Sequence, residues 1–414
     1  MSIPSFHNTP ILAGRPASLV EFSRIYDSAF NSFQRIAIFG DSQETLGGAG
    51  TDYIDSLNVF ANERFGQAPQ TPLYPPGLNF SSGNPPGRFL GRGVRNGGSS
   101  VPSTYSPPNF SGYRTAEAIN GVVHVLCPNG EGMTSYENYR QFFDPTTEDI
   151  IFRVFCRTKS TGSAEIIVQE RHRNISLPNF GSTLFATNTS SGLNLNGSDN
   201  DIVFYDTPTL TYDPDNPFFQ MRIRGVDLGG GEQAELVGTQ FIDTTAPDRG
   251  MIFQSFSGGG DDTTDLLSDH SLAGAGLRAY DTATPFSVIF LTYSANDIGA
   301  TPEAYRTRVE TLITALRGPD WFNRPVLIGL VSDDYRENLS TVEESRYNQF
   351  ARIHAEIATR TDNTVAVNLG RLTSELAWPQ SWNNVASDGI HVERRFRTQK
   401  AALFLDTWRD ARRS

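Results

Sequence analysis

Strand-like and helix-like patterns alternate at both ends of this 414-residue chain, and the alternation stops in its middle. Near the start, residues 17–33 place Leu19, Phe22, Ile25, Tyr26, Phe30 and Phe33 at helical spacing, and the short apolar run Ile36–Phe39 suits a buried strand. Residues 51–66 again read as helix, on Tyr53, Leu57, Phe60, Ala61 and Phe65. From about residue 250 the alternation resumes: strand Met251–Phe256, helix Asp261–Ala275, and a buried strand within Pro285–Tyr293. Thr301-Pro302-Glu303 then opens a helix with a capping hydroxyl and a first-turn proline, and this helix runs to about Arg317. Strand Val326–Val331, helix Thr341–Thr361, strand Thr364–Leu369 and a last helix over about 394–412 complete the pattern. Alternating strands and helices imply an α/β fold with a parallel sheet.

The middle has a different texture. Residues 67–115 are dense in Pro, Gly, Ser and Asn, and are expected to wrap a surface or fringe a site, because a loop of that length is unusual in a compact domain. Residues 116–245 read as all-β: Gly121–Cys127, Asp149–Arg157, Ala164–Arg171, Asp201–Tyr205, Phe218–Arg224 and Ala234–Phe241 are β-prone runs separated by turn clusters. That spacing suggests a β-sandwich of jelly-roll type. The expected organisation is therefore an arm over 1–16, a discontinuous α/β domain over 17–66 plus 246–414, a loop region over 67–115 and a β-sandwich insertion over 116–245.

Composition removes several classes. The net charge is −12 and Lys159 and Lys400 are the only lysines, so no dominant basic face offers itself to nucleic acid. Arg394, Arg395, Arg397, Arg409, Arg412 and Arg413 gather near the carboxyl end, where a solvated helix face is the expected reading. Cys127 and Cys156 are too few for a disulfide framework; a cross-strand pair and two free buried thiols both stay open. Residues 1–20 lack a signal-peptide pattern and no run of 18 apolar residues occurs, so a soluble protein without membrane partner is expected, cytoplasmic or phage-virion-associated.

Four short elements follow strands of the α/β half: Gly40-Asp41-Ser42, Gly258-Gly259-Gly260, Ser294-Ala295-Asn296-Asp297 and Asp388-Gly389-Ile390-His391, the last before the final helix. In open α/β sheets the ligand crevice lies outside the carboxyl ends of the strands. A nucleophilic serine needs a base and a group that orients the base. Ser42 supplies the nucleophile, His391 the base, and Asp388, three residues earlier, the orienting carboxylate. A tetrahedral intermediate needs donors for its oxyanion, and the Ser42 N–H, a glycine N–H from 258–260 and the Asn296 amide provide three. Each motif alone is weak; the four in order are not. The Gly-x-Ser-x-Gly elbow, the phosphate-binding loop and the His-Glu-x-x-His metal helix are all absent from the sequence.

These four elements resemble the four blocks of the SGNH (GDSL-like) hydrolase family, over roughly 30–66 and 250–414 and not over the β-rich middle. Gln43 stands where the family often has leucine, Ser294 where it usually has glycine and Val392 where proline is common after the histidine; none of these removes a catalytic group. The resemblance implies a three-layer α/β/α domain with a parallel sheet, interrupted by the jelly-roll-like insertion. It also implies a serine esterase with catalytic Ser42, Asp388 and His391, and an oxyanion hole of Ser42, Gly260 and Asn296. Gly260 is favoured over Gly258 and Gly259 because Asp-Asp-Thr-Thr-Asp-Leu-Leu after it looks like the family's next helix. No metal or organic cofactor is called for.

An O-acetyl group on a carbohydrate is the expected substrate, as an acylated polysaccharide or a small ester. Trp378, Trp382 and Asp41 are candidate substrate contacts, since aromatic rings stack on sugar faces as readily as they fill cores. His7, His124, His172, His270 and His354 are read as structural or solvated. Two alternatives stand beside the esterase: a virion or surface-assembly protein with an incidental or degenerate site, motivated by the arm and the insertion as means of oligomer or particle assembly, and a carbohydrate O-acyltransferase sharing the acyl-serine.

Overall fold

The structure is a computed structural model that describes residues 9–41, 51–72, 94–96, 117–119, 121–127, 149–157, 164–173, 180–184, 193–194, 202–209, 218–227, 234–257, 262–268, 281, 284–293, 296–319, 321–332, 340–371 and 394–411. The chain divides into two compact units, one of residues 1–66, 249–274 and 280–414, the other of 67–248 and 275–279.

The first unit is built on one sheet. Its strands are β1 (Leu12–Gly14), β2 (Phe33–Gly40), β3 (Gly250–Ser255), β4 (Val288–Thr292), β5 (Leu327–Ser332) and β6 (Thr364–Asn368). Its helices are α1 (Pro16–Ser28), α2 (Thr51–Phe65), α3 (Thr263–Ser268), α4 (Pro302–Arg317), α5 (Thr341–Arg360) and α6 (Arg394–Asp410). The sheet order is β1-β6-β5-β4-β2-β3. Five strands, β2 to β6, run parallel, and β1 joins the edge antiparallel to β6. Strands β3, β4, β5 and β6 are buried along their whole length, which is why their middles read as continuous apolar runs rather than as alternation, with buried polar residues such as Gln254, Ser255, Ser332 and Asn368 at their ends. In order of appearance the parallel strands lie 2-1-3-4-5, the doubly wound arrangement whose switch point falls between its first and third strands, here β2 and β4.

Helices α1, α2 and α6 pack on one another, as do α3 with α4 and α4 with α5. The first group closes over an aromatic cluster centred on Trp408, stacked on Phe22 with ring centroids 4.7 Å apart and edge-on to Phe290 at 5.5 Å. Phe39, Phe256, Phe286, Trp321 and Phe322 form a second cluster. Each such pair is worth ~0.5–1.5 kcal/mol beyond its buried area. Helix α4 begins as its sequence prescribes: the Thr301 side chain accepts from the Ala304 N–H at 3.2 Å, with Pro302 in the first turn. Helix α5 carries a reciprocal capping box between Ser340 and Glu343.

Two details depart from the sequence expectation. Residues 12–14, read as part of an arm, form the edge strand β1, with Ala13 buried. Helix α1 stops at Ser28 rather than reaching residue 33, because Phe33 is already the first residue of β2 and Phe30 is exposed in the turn between them.

The second unit contains two antiparallel sheets. One pairs Ile202–Asp206, Ile150–Arg157, Ala234–Asp243 and Glu117–Ile119 in that order. The other pairs Val94–Asn96, Gly121–Cys127, Phe218–Asp227, Ala164–Arg173 and Phe180–Leu184, with Leu193–Asn194 also on Ala164–Arg173. Strands 94–96, 117–119, 180–184 and 193–194 were not legible in the sequence. In the first sheet Arg153 makes a two-pronged ion pair with Asp206 at 2.6 and 2.8 Å and lies over the Phe204 ring. Cys156 is a buried free thiol, and burial pushes its pKa well up.

Candidate active site at the carboxyl edge of the parallel sheet

Strands β2, β3 and β4 are neighbours, and their carboxyl ends leave the sheet together. Thr292 on β4 is in register with Gly40 on β2, and its hydroxyl donates to the Phe39 carbonyl at 3.1 Å. On the other side of β2, the Phe256 N–H donates to the Ile38 carbonyl at 2.7 Å. These bonds hold the last residues before three of the four chemical elements on adjacent strands. Asp41, next to Ser42, is buried; Ser257, before the glycine run, is buried; Tyr293, before Ser294, is buried. The edge is that of the switch point between β2 and β4, where the sheet's own geometry opens a crevice.

Asn296 opens a short 3₁₀ turn, Asn296–Gly299, and is half-buried. Two contacts fasten this turn. The Ala300 N–H returns to the Asp297 carbonyl at 2.7 Å, and the Arg346 guanidinium on α5 donates to the Ile298 carbonyl at 2.6 Å. Asp297 turns its carboxylate inward. It accepts from the backbone N–H of Thr263 at 3.1 Å, from the Thr263 hydroxyl at 2.5 Å and from Arg308 at 3.2 Å. Burial raises its pKa, and the two Thr263 bonds oppose that rise.

Behind the turn lies a buried polar chain. The Tyr305 hydroxyl donates to the Tyr293 carbonyl and lies 2.8 Å from Nε2 of His354, whose Nδ1 is 2.8 Å from the Ser332 hydroxyl. Since the single phenolic hydrogen goes to Tyr293, His354 carries its proton on Nε2 and accepts from Ser332 on Nδ1. Burial lowers the His354 pKa to about 3, so the ring is neutral. This histidine is structural, as its place on a helix suggested. Tyr305 had no sequence signal and Asp297 only its place at the end of the third motif, because their partners lie 49 and 34 residues away.

Of the residues the sequence singled out, Asp41 and Asn296 lie at the ends of the neighbouring strands β2 and β4. Ser42, Gly258 to Gly260, Asp388, His391, Trp378 and Trp382 lie outside the described residues. Among the described residues, no group of three or more His, Cys, Asp or Glu side chains is placed to hold a metal ion, and no helix is long and apolar enough to cross a membrane.

No protein-family model and no curated protein matches the chain. Among solved structures, the chain is similar to a peptidoglycan O-acetylesterase at TM-score 0.53 and 13% identity, over 98% of this chain and 99% of that one. It also matches a lipase/acylhydrolase from Enterococcus faecalis at TM-score 0.29 and 14% identity, over 39% of this chain and 77% of that one. A variant acetyl-xylooligosaccharide esterase from Geobacillus matches at TM-score 0.30 and 13% identity, over 39% and 73%. The first similarity bears on the fold; the other two, at such scores, carry no argument.

Proposed function

The fold is SGNH-hydrolase-like, and on it we propose that the chain is a serine esterase that removes O-acetyl groups from a carbohydrate. One observation carries the reading: β2, β3 and β4 are neighbours at the switch point of the sheet, and each ends just before a motif that the chemistry needs.

In this reading Ser42 attacks the ester carbonyl while His391 takes its proton, and Asp388 orients the imidazole and balances its charge. Oxygen charge in the tetrahedral intermediate is received by the Ser42 and Gly260 N–H groups and the Asn296 amide. Collapse breaks the ester C–O bond, and His391 returns the proton to the departing sugar hydroxyl. Water, deprotonated by His391, then hydrolyses acyl-Ser42 to acetate and free serine. The residues over 116–245 are assigned to gripping the polysaccharide as a β-sandwich, with Trp378 and Trp382 stacking on sugar rings. The end-to-end likeness to a peptidoglycan O-acetylesterase supports an acetylated glycan as substrate.

The test is labelling with a fluorophosphonate, read by intact mass and peptide mapping, alongside acetate release from acetylated glycans. One adduct on Ser42, lost in Ser42→Ala and His391→Ala, together with released acetate, is the expected result. A folded protein without adduct or acetate overturns the reading. Net transfer of acetyl to a glycan acceptor in water replaces hydrolase by acyltransferase, and particle association without turnover replaces it by an assembly role.

A further inference from the structure

Asp297 does something that capping alone does not require. The first turn of α3 already has a local cap: the Asp262 carboxylate accepts from the N–H groups of Thr264 at 2.6 Å and Asp265 at 3.0 Å, and Asp265 in turn accepts from the Asp262 N–H at 3.0 Å. The Asp297 carboxylate nevertheless crosses 34 residues of chain to take both the N–H and the hydroxyl of Thr263. Its side chain is fully buried, and Arg308, itself one-third exposed, is the cation beside it. Burying a carboxylate is costly unless it is fully bonded, and that loss of solvation is the main cause that raises its pKa, against the two Thr263 bonds that lower it. A cross-link of this kind, placed where a local cap already exists, serves the relative position of what it joins.

What it joins is specific. Asn296 is the residue before Asp297, and Thr263 is the first residue of α3. Resting on the esterase reading above, we propose that Asp297 is a positioning residue: by fastening the Asn296 turn to Thr263 at the start of α3, it holds the Asn296 amide in place as an oxyanion donor. Displacement by about 1 Å far from the reacting atoms can cost ~100-fold in rate.

The experiment is a double-mutant cycle on purified full chain, with kcat and KM measured on a small acetyl ester for wild type, Asn296→Ala, Asp297→Ala and the double variant. Asp297→Ala is expected to lower kcat by about 10- to 100-fold with little change in KM, and to have much less effect once Asn296 is alanine, since there is then no side-chain donor left to position. Asp297→Asn, which keeps an acceptor for the Thr263 N–H, is expected to recover part of the loss. Equal losses in both backgrounds overturn the proposal. If Asp297→Ala does not fold by thermal unfolding, Thr263→Val, which removes the hydroxyl and keeps the N–H bond, takes its place in the cycle with the same criterion. A wild type without turnover or Ser42 adduct overturns the esterase reading and this inference with it; turnover with additive losses overturns this inference alone.

Discussion

Nε2 of His354 lies 2.8 Å from the Tyr305 hydroxyl, in a buried contact between α5 and α4, and that hydroxyl also holds the Tyr293 carbonyl where β4 leaves the sheet. The imidazole therefore supports the base of the Asn296 turn as a neutral donor. Its native pKa of about 3 lies below the ordinary 6.5, so the unfolded chain takes the proton first as pH falls. Its contribution to stability is whole above pH 6.5 and is lost as pH falls from there toward 3, at up to ~1.4 kcal/mol per pH unit. Urea unfolding of wild type and His354→Gln over this range checks it: the variant keeps an N–H donor without the titration, and its stability should vary less steeply with pH. Equal slopes would refute the assignment.

Asn296→Ala should lower kcat by ~100- to 1000-fold while KM changes little, the usual cost of removing one oxyanion donor. The unfolding midpoint should hold within the range of a surface substitution, since Asn296 is half-buried in a short turn. Steady-state kinetics on a small acetyl ester measure the first and thermal unfolding the second.

Gly329→Ala should destabilise the fold by about 1–3 kcal/mol or more through overpacking. Gly329 on β5 is in register with Phe290 on β4, and a Cβ there would sit 2.4 Å from two atoms of the Phe290 ring. The ring cannot withdraw easily, being edge-on to Phe404 and Trp408. Phe290→Leu combined with Gly329→Ala should recover part of the loss in denaturant midpoint, and Gly329→Ala at wild-type stability would contradict the close approach.

Trp408→Ala should cost about 3–5 kcal/mol, in the range of large aromatic truncations in cores. Trp408 is fully buried, stacks on Phe22, and donates its indole N–H to the Phe22 carbonyl at 2.6 Å. Trp408→Phe should cost less, since it keeps the stack and loses the donor. Chemical denaturation of both variants measures the difference.

The α/β unit was legible because its physics is local. Strands covered on both faces are apolar through their middles, and Ile36–Phe39, Val288–Leu291 and Leu327–Val331 are. Thr301-Pro302 announces a helix start by its own hydrogen-bonding, whatever surrounds it. Strand β1 was not legible, because three residues with one buried side chain carry no period. In the all-β stretch the long strands were visible and the short ones, such as Glu117–Ile119, were not, for the same reason.

The motif order around Ser42, Gly260, Asn296 and His391 is a property of the linear chain, and it alone points to acyl-transfer chemistry. Which strands stand side by side is not: β2 sits between β3 and β4, although more than 200 residues separate it from either. Strand order is decided by how six strands and their helices bury apolar surface together, and no single segment contains that information. The same holds for the bond from Asp297 to Thr263 and for the proton on His354. Each residue's type is written in the sequence, but its partner, its burial and hence its charge state exist only once the tertiary structure has brought distant segments into contact.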